Sequence, residues 1–169
     1  MTYTVVIVES PAKCQKIEKF LGPGYKCIAS YGHIRELNGL GSINISNNFK
    51  PSFNIIDSKK TQISKMRKMI LGAKEVMLAA DDDREGEAIA WHICETFELP
   101  VETTKRIIFH EITETALKKA VKDATVLNMD IIHAQQARQI LDLIVGFKLS
   151  PILWQKISYK TKKSLSAGR

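Results

Sequence analysis

Apolar residues in this chain come as short unbroken runs that alternate with stretches of helical spacing. Thr4-Val5-Val6-Ile7-Val8 is β-branched almost throughout and suits a strand buried on both faces. Ser10 reads as an N-cap and Pro11 as a first helical residue. The helix they open should reach about Leu21, with Cys14, Ile17 and Leu21 inward and Gly22-Pro23-Gly24 as its stop. Tyr25 to Ser30 gives a second strand. Positions 38–58, rich in Asn, Ser and Gly around Pro51, lack any period and predict an irregular insertion. Helical spacing returns over 61–71 through Ile63, Met66 and Ile70, and Gly72 ends it. Val76 to Ala80 predicts a third strand and Glu87 to Glu98 a helix with Ile89, Ile93 and Phe97 on one face. Arg106 to Phe109 predicts a fourth strand, after which Thr113 caps a helix striped by Ala116, Leu117, Ala120, Val121 and Ala124. Strand and helix in regular alternation predict an α/β fold, a mostly parallel sheet flanked by helices.

The pattern changes near Leu127-Asn128, where a boundary is expected between a domain over 1–127 and a short helical segment of a second over 128–169. Ala134, Ala137, Leu141, Ile144 and Val145 predict a long helix from Asp130 to Gly146, with Arg138 and Asp142 one turn apart on another face. Ser150-Pro151 should open a further helix, Ile152 to Lys156.

Charge sharpens this division. The chain has 169 residues and a net charge of +7, yet from Leu143 onward it has no acid at all. Lys148, Lys156, Lys160, Lys162, Lys163 and Arg169 all lie there, leaving about +1 for the first 142 residues. Basic residues interleaved with Phe147, Trp154 and Tyr159 suit a polyanion with stackable bases, although such a run is also the ordinary make-up of a solvated surface. No apolar run reaches membrane-spanning length, and Met1-Thr2-Tyr3 leads into a strand rather than a signal peptide, so an intracellular protein without membrane contact is expected. Cys14, Cys27 and Cys94 are odd in number and widely spaced. They read as reduced, buried thiols rather than a disulfide framework or a zinc ribbon.

The chemistry concentrates at Asp81-Asp82-Asp83-Arg84-Glu85-Gly86-Glu87, five carboxylates in seven residues where a buried strand hands over to a helix. Ligands of open α/β sheets bind at that end of the strands. Asp81, Asp83 and Glu85, at alternate positions of an extended segment, should point to one side as a hard-oxygen site suited to Mg²⁺. Acids in a first helical turn also complement the helix dipole, and that plainer account covers Glu85 and Glu87. It leaves three adjacent aspartates repelling one another. Glu9 and Lys13 stand at the first strand-to-helix junction in the same arrangement, and His33 and Arg35 lie in a loop from which they could reach a phosphate.

Several stretches together resemble the N-terminal part of the type IA DNA topoisomerases. They are Val5 to Lys13, Gly32-His33-Ile34-Arg35, Ala80 to His92, Arg106 with Phe109 to Thr113, Gln135-Gln136-Ala137-Arg138, Asp142 to Gly146, and Leu165-Ser166-Ala167-Gly168-Arg169. The resemblance implies a Rossmann-like Toprim domain followed by the first helices of a domain that holds single-stranded DNA. It implies Mg²⁺-dependent, ATP-independent cleavage and religation of one DNA strand through a 5′-phosphotyrosine. Asp81, Asp83 and Glu85 would hold Mg²⁺ together with Glu9. Glu9 would also exchange a proton with the leaving 3′-oxygen, and Lys13 would offset phosphate charge. His33, Arg35, Arg106, Arg138, Asp142 and Arg169 would face DNA. A monomer with no nucleotide cofactor is expected.

Departures from the family pattern are Gln139 and Leu143, where further arginines are common, so no base preference carries over. The family's nucleophilic tyrosine lies well beyond the Leu165–Arg169 motif. Tyr3, Tyr25, Tyr31 and Tyr159 all have the wrong context, so this stretch alone is expected to be inactive. Two other readings fit parts of the pattern. A free-standing Toprim nuclease or primase-like enzyme would use the same acids with two metal ions, and a non-catalytic nucleic-acid-binding module would use them as a structural Mg²⁺ site.

Overall fold

The computed structural model describes residues 2–158 and 166–167. In chain order it forms β1 (Tyr3–Val8), a 3-10 turn at Pro11–Lys13, α1 (Cys14–Leu21), β2 (Tyr25–Ala29), β3 (Arg35–Glu36), β4 (Ile43–Asn44), β5 (Lys50–Pro51) and β6 (Asn54–Ile55). There follow α2 (Lys60–Leu71), β7 (Ala73–Ala79), α3 (Arg84–Phe97), β8 (Lys105–Arg106), α4 (Glu114–Lys122) and α5 (Met129–Leu153), with a π-helical turn at Trp154–Ser158. The chain divides into two compact units, one built from residues 1–35 and 55–132, the other from 36–54 and 133–169.

The first unit is organised on a four-stranded parallel sheet in the order β2-β1-β7-β8. Side chains alternate across a strand, so the β-branched run of β1 feeds two cores at once. Val5 and Ile7 pack with Leu78, with Ile63 and Met66 of α2, and with Ile89, Ile93 and Phe97 of α3. Val6 and Val8 face the other way, onto Ile17 of α1, Ala29 and Met77, and Leu117 and Ala120 of α4. The result is a helix-sheet-helix sandwich, the α/β fold that the alternation predicts. At eight residues α1 is too short to hold itself in water, and the full burial of Ile17 supplies what propensity lacks. Ser10 makes no side-chain cap, and a 3-10 turn precedes the helix where a continuous one was expected. The fourth strand is shorter than expected: only Lys105 and Arg106 pair with β7, and Arg106 also bridges Thr125.

In the second unit, β4 and β5 form a small antiparallel pair and α5 continues from His133. The predicted break before Ser150-Pro151 is absent. Pro151 falls in the last turn of α5, where its missing N–H costs a single helical bond, and the backbone widens into the π-turn directly afterwards. The predicted inner stripe is also corrected. Ala134, Ala137 and Leu141 are exposed, Leu141 by 60%, whereas Gln135 and Ser150 are buried. Apolar residues lie on more than one side of this helix, so periodicity alone could not say which side the small β4-β5 segment would cover.

Candidate functional site

The carboxyl ends of β1, β2 and β7 lie side by side, and the chain leaves β1 for β2 on one side and for β7 on the other. Such a reversal of strand order opens a crevice at the strand ends. Val8 and Ala79 are in register, which brings the residues that follow them together. The Asp81 N–H donates to Glu9 Oε1 at 2.8 Å, and the Lys13 ammonium, one turn into the next element, pairs with the Asp81 carboxylate. Past β2 the backbone is left-handed at both Tyr31 and Gly32 (φ 59° and 82°), and the Tyr31 N–H donates to the Glu9 carbonyl. That turn delivers His33, whose Nε2 lies 3.1 Å from Glu85 Oε2. Glu9, Lys13 and Asp81 thus meet, and His33 meets Glu85, although three separate stretches supply them.

The acidic stretch is not extended throughout, as the alternate spacing had suggested. Asp83 is the N-cap of α3, its carboxylate accepting from the Gly86 N–H at 2.7 Å, and Glu85 is already helical. Glu85 and Glu87 do lie in the first turn, where acids complement the helix dipole, and the cap itself is Asp83. Asp82 points aside, 3.8 Å from His110. Among the described residues no group of three acid, His or Cys side chains is placed to hold a metal ion; Lys13 pairs with Asp81, and His33 lies against Glu85. Gly86 decides how closely loop and helix approach: a Cβ there would lie 2.1 Å from the Asp81 carbonyl oxygen. Its signal in the sequence is a glycine between two glutamates in a helix's first turn, costly to the helix unless packing requires it.

The Toprim domain model matches residues 4–112, and a DNA topoisomerase model matches residues 126–169. Full-length topoisomerase I from Thermotoga maritima superposes with a TM-score of 0.86 at 40% identity, over 97% of this chain. The chain belongs to the type IA DNA topoisomerases. It spans 27% of the length of that Thermotoga enzyme. A small TOPRIM domain protein from Bacillus stearothermophilus is also similar, at a TM-score of 0.43 and 15% identity over 78% of this chain and 94% of its own, a likeness too loose to add to the argument.

Within this topoisomerase fold the other expected site residues are scattered. Arg106 does not belong to an exposed DNA-facing surface. It is 1% exposed, and its guanidinium donates to the carbonyls of Ala80 (2.7 Å), Asp81 (2.8 Å) and Ile107 (2.9 Å) and to Glu87 Oε2 (3.0 Å). Glu87, itself buried, accepts the Asn128 N–H on Oε1 at 2.7 Å. Sequence reasoning missed this pair, although both charges are flanked by core residues, Ala88-Ile89-Ala90 and Ile107. Arg35 lies over the Trp91 ring and 3.8 Å from Glu95. Beside it His92 is buried, and its pKa is pushed down to about 3 by that burial and by the charges of Arg35 and His33. In the second unit, Arg138 and Asp142 form an exposed pair one turn apart at 3.7 Å. Arg169 lies outside the described residues. Among the described residues no helix is long and apolar enough to cross a membrane.

Proposed function

We propose that this chain provides the Mg²⁺ and phosphate site of an enzyme that transiently cuts and rejoins one DNA strand without ATP, the attacking tyrosine coming from another part of the protein. The observation that carries the reading is the direct bond from the Asp81 N–H to Glu9, with Lys13 on the same aspartate. It joins a potential proton carrier, a cation and the acidic loop at one strand-end crevice. The donor set suits the ion in kind, since Glu9, Asp81, Asp83 and Glu85 offer only hard oxygens. When bound, Mg²⁺ would neutralise charge on a phosphate's non-bridging oxygens. Lys13 would shift from Asp81 to the scissile phosphate. Glu9 Oε1 is held by the Asp81 N–H, so Oε2 is the oxygen that would hand a proton to the 3′-oxygen as the phosphorus–3′-oxygen bond breaks and the tyrosine–phosphorus bond forms, the tyrosine's own proton passing to water. Oε2 would take its proton back on rejoining. His33, Arg138, Asp142 and Arg169 would contact the strand, and Arg35 would brace the His33 loop from behind.

The test uses end-labelled single-stranded DNA with the chain, with and without Mg²⁺. A gel shift that weakens with salt and no cleavage is the expected result. Metal-dependent products with free ends, abolished by Asp81→Asn, would instead identify a Toprim nuclease and overturn the proposal.

A further inference from the structure

We infer that Arg106 and Glu87 are positioning residues for the acidic loop, fixing the main chain from which Asp81 and Asp83 project and so setting their capacity to hold a divalent ion. The inference rests on the reading of those acids as metal ligands. Ala80 and Asp81 lie just past the end of β7, and the neighbouring β8 pairs only with Met77 and Leu78. Their carbonyls are taken instead by the Arg106 guanidinium, one on Nη1 and one on Nη2. A planar fork can hold two successive carbonyls in a fixed relation, which neither an ammonium nor an apolar side chain can do. Asp81 is then located three ways: its N–H by Glu9, its carbonyl by Arg106, and its backbone by contact with Gly86.

Attraction between the two charges does not by itself account for the pair. A buried ion pair gains little over well-packed apolar residues of the same volume, because both charges lose their water. What apolar residues cannot supply is the hold on the loop. Glu87 anchors the guanidinium through Nε and is itself tied to the Asn128 main chain, so neither partner is left to swing.

The experiment compares the whole chain with its Glu87→Met/Arg106→Met and Arg106→Lys variants, reading thermal unfolding and Mn²⁺ affinity by electron paramagnetic resonance. The double variant should still fold, less stably for the lost carbonyl and Asn128 bonds, and bind Mn²⁺ about 10- to 100-fold more weakly, as when groups that orient metal ligands are removed. Arg106→Lys keeps the charge and loses the fork, and should weaken binding in the same way. Unchanged Mn²⁺ affinity in either folded variant would overturn the inference, and loss of folding in both would assign the pair to stability alone. Asp81→Asn/Asp83→Asn separates the two levels. If it binds Mn²⁺ as wild type does, the metal reading itself fails and this inference falls with it.

Discussion

Replacing Gly86 by alanine adds one carbon where the structure has no room. The new Cβ would lie 2.1 Å from the Asp81 carbonyl oxygen and 2.9 Å from both its carbonyl carbon and its nitrogen. Non-bonded heavy atoms prefer about 3.5 Å, so the Asp81 backbone must retreat by more than an ångström. That retreat disrupts the bond from Asp81 N–H to Glu9 and the bond from Arg106 to the Asp81 carbonyl, both 2.8 Å in the native fold. Each involves a charged partner and is worth roughly 1.5–3 kcal/mol, while alanine returns about 1 kcal/mol of helix propensity. The expected net loss is about 2–5 kcal/mol. Gly146 is the control: a Cβ there meets nothing closer than Ala167 O at 3.8 Å, so Gly146→Ala should be neutral or gain up to about 1 kcal/mol. Urea unfolding of the two variants beside wild type measures both. Equal midpoints for Gly86→Ala and wild type would refute the claim that contact with this glycine places the loop.

Two further expectations rest on perturbed groups. His92 stays neutral in the fold until about pH 3, whereas the unfolded chain takes up a proton near pH 6.5. Stability should therefore fall as pH drops from about 6.5 toward 3, by about 1.4 kcal/mol per pH unit from this group. His92→Gln should remove that part of the slope in pH-dependent unfolding, and an unchanged slope would show that the imidazole is not shielded. The Cys14 thiol is held below its usual range by a hydrogen bond from Cys27, against the opposing effects of burial and Glu18, whereas burial pushes Cys94 up to about 12 and the bond to Cys14 pushes Cys27 far up. Iodoacetamide at pH 7.5 should thus alkylate Cys14 well before the others by peptide mass spectrometry. Equal rates at all three would contradict the thiol pairing.

The sheet was legible because β1 and β7 end in unbroken apolar runs, Val5 to Val8 and Val76 to Ala79, the pattern of a strand buried on both faces. Glu9, Lys13 and Asp81 were legible as members of two similar junctions, though not that a backbone N–H would join them. The sequence did not reveal the cap at Asp83, because cap and ligand look alike in a string of acids and only backbone angles separate them. Arg106 was misread for a related reason: a charge at a strand end is ordinarily solvated, and its burial depends on Glu87, nineteen positions away. On α5 the difficulty was excess. Leu141, Phe147, Leu149 and Ile152 are all exposed, so counting apolar positions could not choose the covered side.

The second unit is assembled from two stretches, 36–54 and 133–169, separated by the 78 residues 55–132 that belong to the first. A ribosome finishes every residue of the first unit once Ile132 is made, and domains made first generally fold first. At that moment residues 36–54 have been synthesised but the helix they join has not. They must wait as a tethered loop, both ends anchored by a folded body, which shortens the search their later partner must make. No single cut in the chain can separate the two units, and a truncation after Ile132 would leave 36–54 as a loop without its fold.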